Sequence, residues 1–263
     1  MPIRLLIVEG NSTELSASLV ACGGSPYNVF YGTLMQQLGD DVECTSVFPA
    51  EAGVDCLPEG KSFDDYDGAV WTGSGLDAFA GVPVVLNQKA FAKNLFASGT
   101  PIFGSCWGLQ IVTEALGGKV ARNPLGREIG VAKNIELNEV GTCHLMYQGK
   151  PREFETFAVH LDHVIEPAPG SRVLAHNAMS PIQALVIEQD GKSFWGVQYH
   201  PEFDGFVMGV IYERLAHALP DEGLAASRQD VMDIAKTWKG SDKVFDQIEL
   251  KNWLTHVRKK KKA

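Results

Sequence analysis

The chain has 263 residues, of which 45% are hydrophobic and 21% are charged, and its net charge is −9. This length is enough for one large α/β domain or two small ones, and the acidic balance disfavours a nucleic-acid partner. No apolar run approaches the ~18 residues of a membrane-spanning helix. The first residues lead directly into a strand pattern rather than a signal peptide, so we expect a cytoplasmic protein.

Five cysteines are present, an odd number at wide spacing with no Cys-x-x-Cys pair. Neither a disulfide framework nor a zinc site is indicated by this pattern. We therefore predict free thiols and no metal ligands. The cysteines are Cys22, Cys44, Cys56, Cys106 and Cys143.

The first 118 residues alternate short apolar runs with helical patterns. Such alternation predicts a parallel sheet with helices on both faces. Ligands on sheets of this kind bind beyond the carboxyl ends of the strands, where loop 72–75 and Cys106 fall. The predicted strands are 5–8, 42–48, 68–71 and 101–103, and the predicted helices are 29–38, 84–97 and 107–116.

From Val131 onward strand patterns dominate and few helices intervene, which predicts mixed or antiparallel pairing. We predict one domain over 1–220 and a helical appendage over 221–263. A basic run at 258–262 ends the chain, and we expect it to be solvated. The predicted strands are 131–137, 154–160, 173–175, 184–187 and 194–198, and the predicted helices are 206–219, 224–238 and 244–257.

Residues 104–108 read Gly-Ser-Cys-Trp-Gly, the thiol version of the Gly-x-Ser-x-Gly nucleophile elbow. Gly104 and Gly108 permit a tight turn between strand and helix. The turn places Cys106 at a helix start, where free N–H groups and the helix dipole favour the reactive thiolate. The segment therefore predicts a cysteine nucleophile.

Residues 196–202 read Gly-Val-Gln-Tyr-His-Pro-Glu. His200 can take the thiol proton, and Glu202 can orient the imidazole ring. Because Pro201 favours an extended conformation at His200, we expect His200 and Glu202 to share one face of an extended segment. The two segments together predict a Cys-His-Glu triad.

Two backbone N–H groups are candidates for an oxyanion hole, those of Trp107 and of the Gly73 loop. Each motif alone is weak: Gly-x-Cys-x-Gly also describes a buried cysteine in a glycine-rich turn, and residues 73–75 could form only a turn. Their combination favours a site for nucleophilic catalysis.

These residues resemble the class I glutamine amidotransferases of the Cys-His-Glu type. Within that family the chain is most similar to stand-alone proteins related to the amidotransferase domain of GMP synthase. The resemblance covers about residues 5–218, with further similarity at 116–118, 128–130 and 160–162. It implies a flavodoxin-like open sheet, mixed and largely parallel, with helices on both faces. The chemistry it implies requires no metal or organic cofactor.

In this family the reaction cleaves a γ-glutamyl amide. The resemblance implies that Cys106 attacks the amide carbonyl of glutamine or of another γ-glutamyl compound and forms a γ-glutamyl thioester. His200 would protonate the leaving ammonia or amine and then activate water, with Glu202 completing the triad. Gly73 and Trp107 would form the oxyanion hole.

Substrate-binding positions also follow from the resemblance. They are Ser74, Gln110, His160 and Leu161. Two residues depart from the family pattern: Leu161 stands where many relatives have glycine, and Trp107 is larger than the residue often found beside the nucleophile. Both are expected to reshape the pocket.

Four functions remain open from the sequence. The chain is an independent hydrolase of γ-glutamyl amides, a glutaminase subunit that supplies ammonia to a separate synthetase, a non-catalytic scaffold, or a cysteine hydrolase of another class. A synthetase partner would have to be another protein, because the chain contains no phosphate-binding loop of the Walker A type. The C-terminal aromatic residues Trp238, Phe245 and Trp253 are candidates for docking it. The oligomeric state stays open.

Overall fold

The central feature of the molecule is a mixed β-sheet. The structure is a computed structural model that describes residues 2–262. Its strands are β1 (Ile3–Val8), β2 (Val42–Val47), β3 (Gly68–Trp71), β4 (Ile102–Ser105), β5 (Lys119–Arg122), β6 (Glu128–Leu137), β7 (Glu153–His160), β8 (Asp162–Glu166), β9 (Ser171–His176), β10 (Ala184–Gln189) and β11 (Lys192–Val197).

Nine of these strands form one sheet in the order β2-β1-β3-β4-β11-β10-β9-β6-β7. The neighbours from β2 to β11 are parallel, and those from β11 to β7 are antiparallel. Strands β5 and β8 form a separate antiparallel pair. The predicted change from parallel to mixed pairing is therefore confirmed.

The helices lie on both faces of the sheet. They are α1 (Thr13–Ala21), α2 (Tyr27–Leu38), α3 (Pro49–Ala52), α4 (Pro83–Ser98), α5 (Trp107–Ala115), α6 (Glu139–Cys143), α7 (Gly205–Arg214), α8 (Ala218–Asp221), α9 (Arg228–Lys239) and α10 (Ile248–Lys262). No helix of the described part of the chain is long and apolar enough to span a bilayer.

Strand β1 explains why the sheet is covered on both sides. Its side chains alternate between two cores: Leu5 and Ile7 pack with residues of α2 and α10, whereas Leu6 and Val8 pack with residues of α4 and α5. A strand buried on both faces is continuously apolar, which is how it was recognised in the sequence. All five cysteines are free thiols.

Helices α1, α3 and α6 were not predicted, and the helix predicted over 206–219 was too long. Helix α1 was not predicted, because its apolar residues do not form a strong stripe; Leu19 alone is buried in it. The helix predicted over 206–219 ends at Arg214 and is followed by the short helix α8. The turn between them lets Ala216 and Leu219 pack against Val231 of α9 in a small cluster of their own.

The C-terminal helices cover the cores of the preceding residues. Trp253 of α10 is fully buried, and a Cβ added to Gly68 of β3 would lie 2.9 Å from its ring. Trp238 and Phe245 pack edge-on against Phe157, with ring centroids 5.3 and 5.0 Å away. Trp253 is therefore part of the core, whereas Trp238 and Phe245 are half-buried. The boundary at residue 220 stays a prediction.

The basic run was expected to be solvated, and the structure agrees only in part. The run continues α10 with Lys259 exposed, whereas three of its other side chains have partners at the edge of the sheet where the parallel strands begin. Arg258 binds Asp41 at 2.5 Å, Lys261 binds Asp67 at 2.8 Å, and Lys260 donates to the carbonyl of Gly191 at 2.6 Å.

Candidate active site

Three strands of the parallel half end at one place on the sheet edge. Cys106 follows β4 directly, Gly73 lies two residues beyond β3, and His200 lies three residues beyond β11. Because β3, β4 and β11 are adjacent and parallel, their carboxyl ends bring these residues together. This is the location that the sheet topology predicts for a ligand site.

The nucleophile elbow is formed by a strained turn. Cys106 has φ 47° and ψ −97°, a conformation that residues with a side chain rarely adopt. A Cβ on Gly104 would lie 2.6 Å from the backbone of Gly108, so the strand and helix can approach only because both residues are glycine. The N–H of Cys106 donates to the carbonyl of Val197 at 2.7 Å and ties the elbow to β11.

Imidazole and carboxylate of the predicted triad are in direct contact. His200 Nδ1 and Glu202 Oε1 are 2.6 Å apart, and both side chains are buried. Residues 200–203 form a turn, in which the N–H of Phe203 donates to the carbonyl of His200 at 3.3 Å. The extended segment expected from Pro201 was therefore wrong for residues beyond His200; the turn itself brings the two side chains together.

Neighbouring groups fix the imidazole plane. The ring of Phe203 stacks on His200 with centroids 4.0 Å apart and an interplanar angle of 7°. The backbone N–H of His200 donates to the carbonyl of Phe157 at 2.7 Å and holds the main chain that carries the ring. A Cβ on Gly73 would lie 3.0 Å from His200 Cε1, so the Gly73 backbone is against the ring edge. The ring has little freedom to rotate.

Charge on His200 is set by its buried neighbours. Burial by itself lowers the pKa of His200, but the carboxylate of Glu202 and the thiol of Cys106 outweigh it and raise the pKa to about 10. The Cys106 thiol donates to the carbonyl of Val159, with Sγ and O 3.5 Å apart. His200 Nε2 has no hydrogen-bond partner within residues 2–262, and it is the atom left to exchange a proton with a substrate.

A second layer of hydrogen bonds holds Glu202. Its other oxygen, Oε2, accepts a hydrogen bond from Ser105 Oγ at 3.1 Å, and the hydroxyl of Tyr31 contacts the same Ser105 oxygen. The carboxylate therefore has a partner on each oxygen, as a buried charge requires.

A cavity of about 290 Å³ opens above Cys106. The four predicted substrate-binding residues, Ser74, Gln110, His160 and Leu161, all line it. Gln110 Nε2 donates to the carbonyl of Asp162 at 2.9 Å and to Gln198 Oε1 at 3.2 Å.

His160 is held on both sides by the protein. Its Nδ1 is 3.0 Å from the carbonyl of Asp162, and its Nε2 is 2.9 Å from Glu128 Oε2. The first contact fixes the turn between β7 and β8, and the second anchors β7 to the start of β6. With both nitrogens occupied, His160 shapes the wall of the cavity and leaves proton transfer to His200.

Trp107 does not reshape the pocket, contrary to expectation. Its indole is fully buried among the apolar residues of α4 and α5, and its Nε1 donates to Gln88 Oε1 at 2.8 Å. Its backbone N–H is the first of α5 and so has no acceptor within the helix. Leu161, the other departure from the family pattern, does line the cavity.

Sequence reasoning missed the charged residues of the cavity wall. They come from separate loops and from the ends of strands and helices, and none belongs to a motif with a recognisable spacing. Asp162 alone was within a segment noted for its similarity. The missed residues are Asp77, Arg122, Arg127, Arg214 and Glu222.

A known protein family matches more than half of the chain. Residues 65–212 match the family model for glutamine amidotransferase class I. The chain belongs to the class I glutamine amidotransferase family. The predicted family and the prediction of an enzyme of this type are thereby confirmed.

The relatives differ in how much of their length the chain covers. A γ-glutamyl-L-1-hydroxyisopropylamide hydrolase from a Pseudomonas species is 30% identical, and the match covers 97% of this chain and 93% of the relative. A GMP synthase from Aquifex aeolicus is 33% identical over 60% of this chain, but the match covers only 27% of that enzyme.

The solved structure of a glutamine amidotransferase from Thermotoga maritima shares the fold. Its TM-score is 0.68 at 16% identity, and the match covers 98% of each chain. The predicted fold class is therefore confirmed.

Proposed function

We propose that the protein hydrolyses the amide bond between a γ-glutamyl group and an amine, releasing glutamate and the amine. The observation that carries this proposal is the buried contact between His200 and Glu202 beside Cys106, at the bottom of a cavity large enough for a small substrate. Similarity to the Pseudomonas γ-glutamyl amide hydrolase along nearly its full length supports the same reaction class.

In the first half-reaction, the Cys106 proton already resides on His200, and the Sγ thiolate attacks the γ-carbonyl carbon. The carbonyl oxygen becomes an oxyanion beside the N–H groups of Trp107 and Gly73, which we assign as the oxyanion hole. His200 Nε2 then gives its proton to the leaving nitrogen, the C–N bond breaks, and the γ-glutamyl thioester remains. The raised pKa of His200 favours the imidazolium that makes this donation.

Water completes the reaction. His200 Nε2 removes a proton from water, whose oxygen attacks the thioester carbonyl. The C–S bond breaks, sulfur leaves as the Cys106 thiolate while His200 keeps the proton taken from water, and glutamate departs. Glu202 stays ionised throughout and holds Nδ1, so that Nε2 is always the atom that exchanges protons.

A second candidate is an ammonia-supplying subunit of a separate synthetase. Similarity to the Aquifex GMP synthase favours it, because the match is confined to about a quarter of that larger enzyme. Trp253 is fully buried, and Trp238 and Phe245 pack on Phe157 with part of each side chain exposed, which reduces the aromatic docking surface considered for such a partner. We therefore place the independent hydrolase first.

The test is glutamate release by the purified chain alone from L-glutamine and a panel of γ-glutamyl amides. Cys106→Ala is the inactive variant, and Cys143→Ala, at an exposed thiol, is the matched control. Rapid release from a substituted amide that depends on Cys106 supports the hydrolase. Release that appears only from glutamine, and only after a synthetase is added, would overturn it in favour of the subunit.

A further inference from the structure

Besides His200, six charged side chains line the cavity above Cys106, and their charges are not matched pair by pair. Three are arginines and three are carboxylates, so the sum is zero. The local arrangement nevertheless separates positive from negative charge. The residues are Arg122, Arg127, Arg214, Asp77, Asp162 and Glu222.

Arg127 and Glu222 neutralise each other. The guanidinium makes two hydrogen bonds to the carboxylate, Nε to Oε2 and Nη2 to Oε1, each 2.7 Å long. Bidentate pairing of this kind uses the donors of the guanidinium and both oxygens of the carboxylate. This pair closes the cavity wall and offers no free charge.

Around Arg122 negative charge is in excess. Its Nη2 is 3.3 Å from Asp77 Oδ1, and its Nε is 3.2 Å from Asp162 Oδ1. One guanidinium thus faces two carboxylates, which leaves one negative charge without a counterion. This excess of negative charge affects Asp162: burial, reinforced by the nearby charge of Asp77, raises the pKa of Asp162 to about 6.

Around Arg214 positive charge is in excess. Its Nε donates to the neutral hydroxyl of Ser18 at 3.0 Å, and it forms no ion pair with a carboxylate in the described part of the chain. A Cβ on Gly75 would lie 2.5 Å from Nη2, so the guanidinium occupies the space that glycine leaves free. Gly75 belongs to the same loop as Gly73, which we assign to the oxyanion hole. An uncompensated cation therefore lies beside the reaction centre.

We propose that these two charged regions, a positive pole at Arg214 and a negative pole at Asp77 and Asp162, bind the zwitterionic end of a γ-glutamyl substrate. The positive pole would bind the α-carboxylate, and the negative pole would bind the α-ammonium group. This inference rests on the proposed function and specifies its substrate class. A γ-glutamyl group carries one negative and one positive charge at its α-carbon, which complements the charge that each pole lacks. An acyl amide without these groups would leave the poles uncompensated.

The test uses three amides of the same amine: γ-glutamyl, 4-aminobutanoyl, which lacks the α-carboxylate, and glutaryl, which lacks the α-amino group. For each enzyme variant kcat/KM is measured with all three. The ratio of γ-glutamyl to 4-aminobutanoyl isolates the carboxylate, and the ratio of γ-glutamyl to glutaryl isolates the ammonium group. Ratios within one enzyme preparation are independent of how much of it has folded.

In Arg214→Gln the carboxylate ratio should fall at least about tenfold while the ammonium ratio holds, because a charged hydrogen bond contributes about 1.5–3 kcal/mol. In Asp162→Asn the ammonium ratio should fall by a similar factor while the carboxylate ratio holds. The double variant Arg127→Gln/Glu222→Gln is the matched control: it removes both members of a cavity pair whose charges cancel, so both ratios should stay within about threefold of the parent values.

Unchanged ratios in Arg214→Gln or Asp162→Asn would overturn this assignment even if γ-glutamyl amides are hydrolysed well. An equal loss of the carboxylate ratio in Arg127→Gln/Glu222→Gln would also overturn it, because the effect would then belong to the cavity as a whole. If the parent enzyme cleaves none of the amides, the proposed function itself fails. The two failures are therefore distinguishable.

Discussion

Two parts of the same cavity are built in different ways. One is the reaction centre, and the other is the recognition wall, which consists of the six charged residues that line the cavity besides His200. Cys106, His200 and Glu202 come from two short segments at the ends of adjacent strands, and the imidazole Nδ1 and both carboxylate oxygens are held by near neighbours. The charged residues of the wall come from loops and from the ends of strands and helices far apart in the chain, and its positive and negative regions each lack a counterion.

This difference suggests a division of labour. The reaction centre is rigid and locally satisfied, so its chemistry should be insensitive to the rest of the cavity. The wall is unsatisfied until a ligand arrives, so substrate preference should change there without loss of the chemistry. The predictions below test that division, beginning with the largest effect.

Removal of the nucleophile should have the greatest effect. Cys106→Ala is expected to lower kcat at least about 10⁴-fold, because no other thiol lines the cavity in residues 2–262. Cys143→Ala, which changes an exposed thiol, should retain the parent rate. Steady-state glutamate release measures both. Substantial turnover by Cys106→Ala would show that the reaction does not use the elbow.

Glu202→Gln should lower kcat by about 10²- to 10⁴-fold and change the charge of His200. The Glu202 carboxylate raises the pKa of His200 towards about 10, so its removal must lower that pKa. Following the His200 ring signals by NMR while the pH is raised should show the imidazolium persisting through neutral pH in the parent and lost at lower pH in the variant. Identical titrations would contradict the electrostatic role of Glu202.

Ser105→Ala tests the second layer of hydrogen bonds around Glu202 and should lower kcat less than the two preceding variants. The variant removes the hydrogen bond from Ser105 Oγ to Glu202 Oε2, which is 3.1 Å long. A hydrogen bond to a charged group contributes about 1.5–3 kcal/mol, so we expect kcat to fall roughly ten- to hundredfold with KM unchanged. A rise in KM with kcat preserved would place Ser105 in the recognition wall instead.

The smallest expected effect is a pH dependence of recognition. Because the pKa of Asp162 is raised to about 6, this carboxyl gains a proton as the pH falls below 6 and loses the charge proposed to bind the α-ammonium group. KM for a γ-glutamyl amide should rise about threefold or more between pH 7 and pH 5. KM for the glutaryl amide should not; parallel changes for both would remove Asp162 from recognition.

The reaction centre could be predicted from the sequence, whereas most of the recognition wall could not. The elbow and the His-Pro-Glu segment were recognisable because their spacing has a chemical reason that depends on neighbouring residues only. Arg214 was not recognisable, since a basic residue in the last turn of a helix is common for electrostatic reasons alone. Its position beside Gly75 depends on packing between α7 and the loop after β3, which no local pattern encodes.

The same distinction holds for the fold. Continuous apolar runs identified β1 and β3, because strands buried on both faces have no polar side to hide. The ion pairs of the C-terminal basic run were not predicted, because the acceptors for Arg258 and Lys261 are Asp41 and Asp67, about 200 residues earlier in the chain. Local charge patterns do not reveal partners that only the fold brings near.

The most direct test of the central claim is to identify the covalent intermediate. The parent enzyme would be mixed with a γ-glutamyl amide, quenched with acid during turnover, and analysed by intact mass and peptide mapping. We predict a γ-glutamyl group on Cys106 that is absent before substrate is added and absent from Cys106→Ala. Rapid glutamate release with no adduct on Cys106, or an adduct on another residue, would contradict the account.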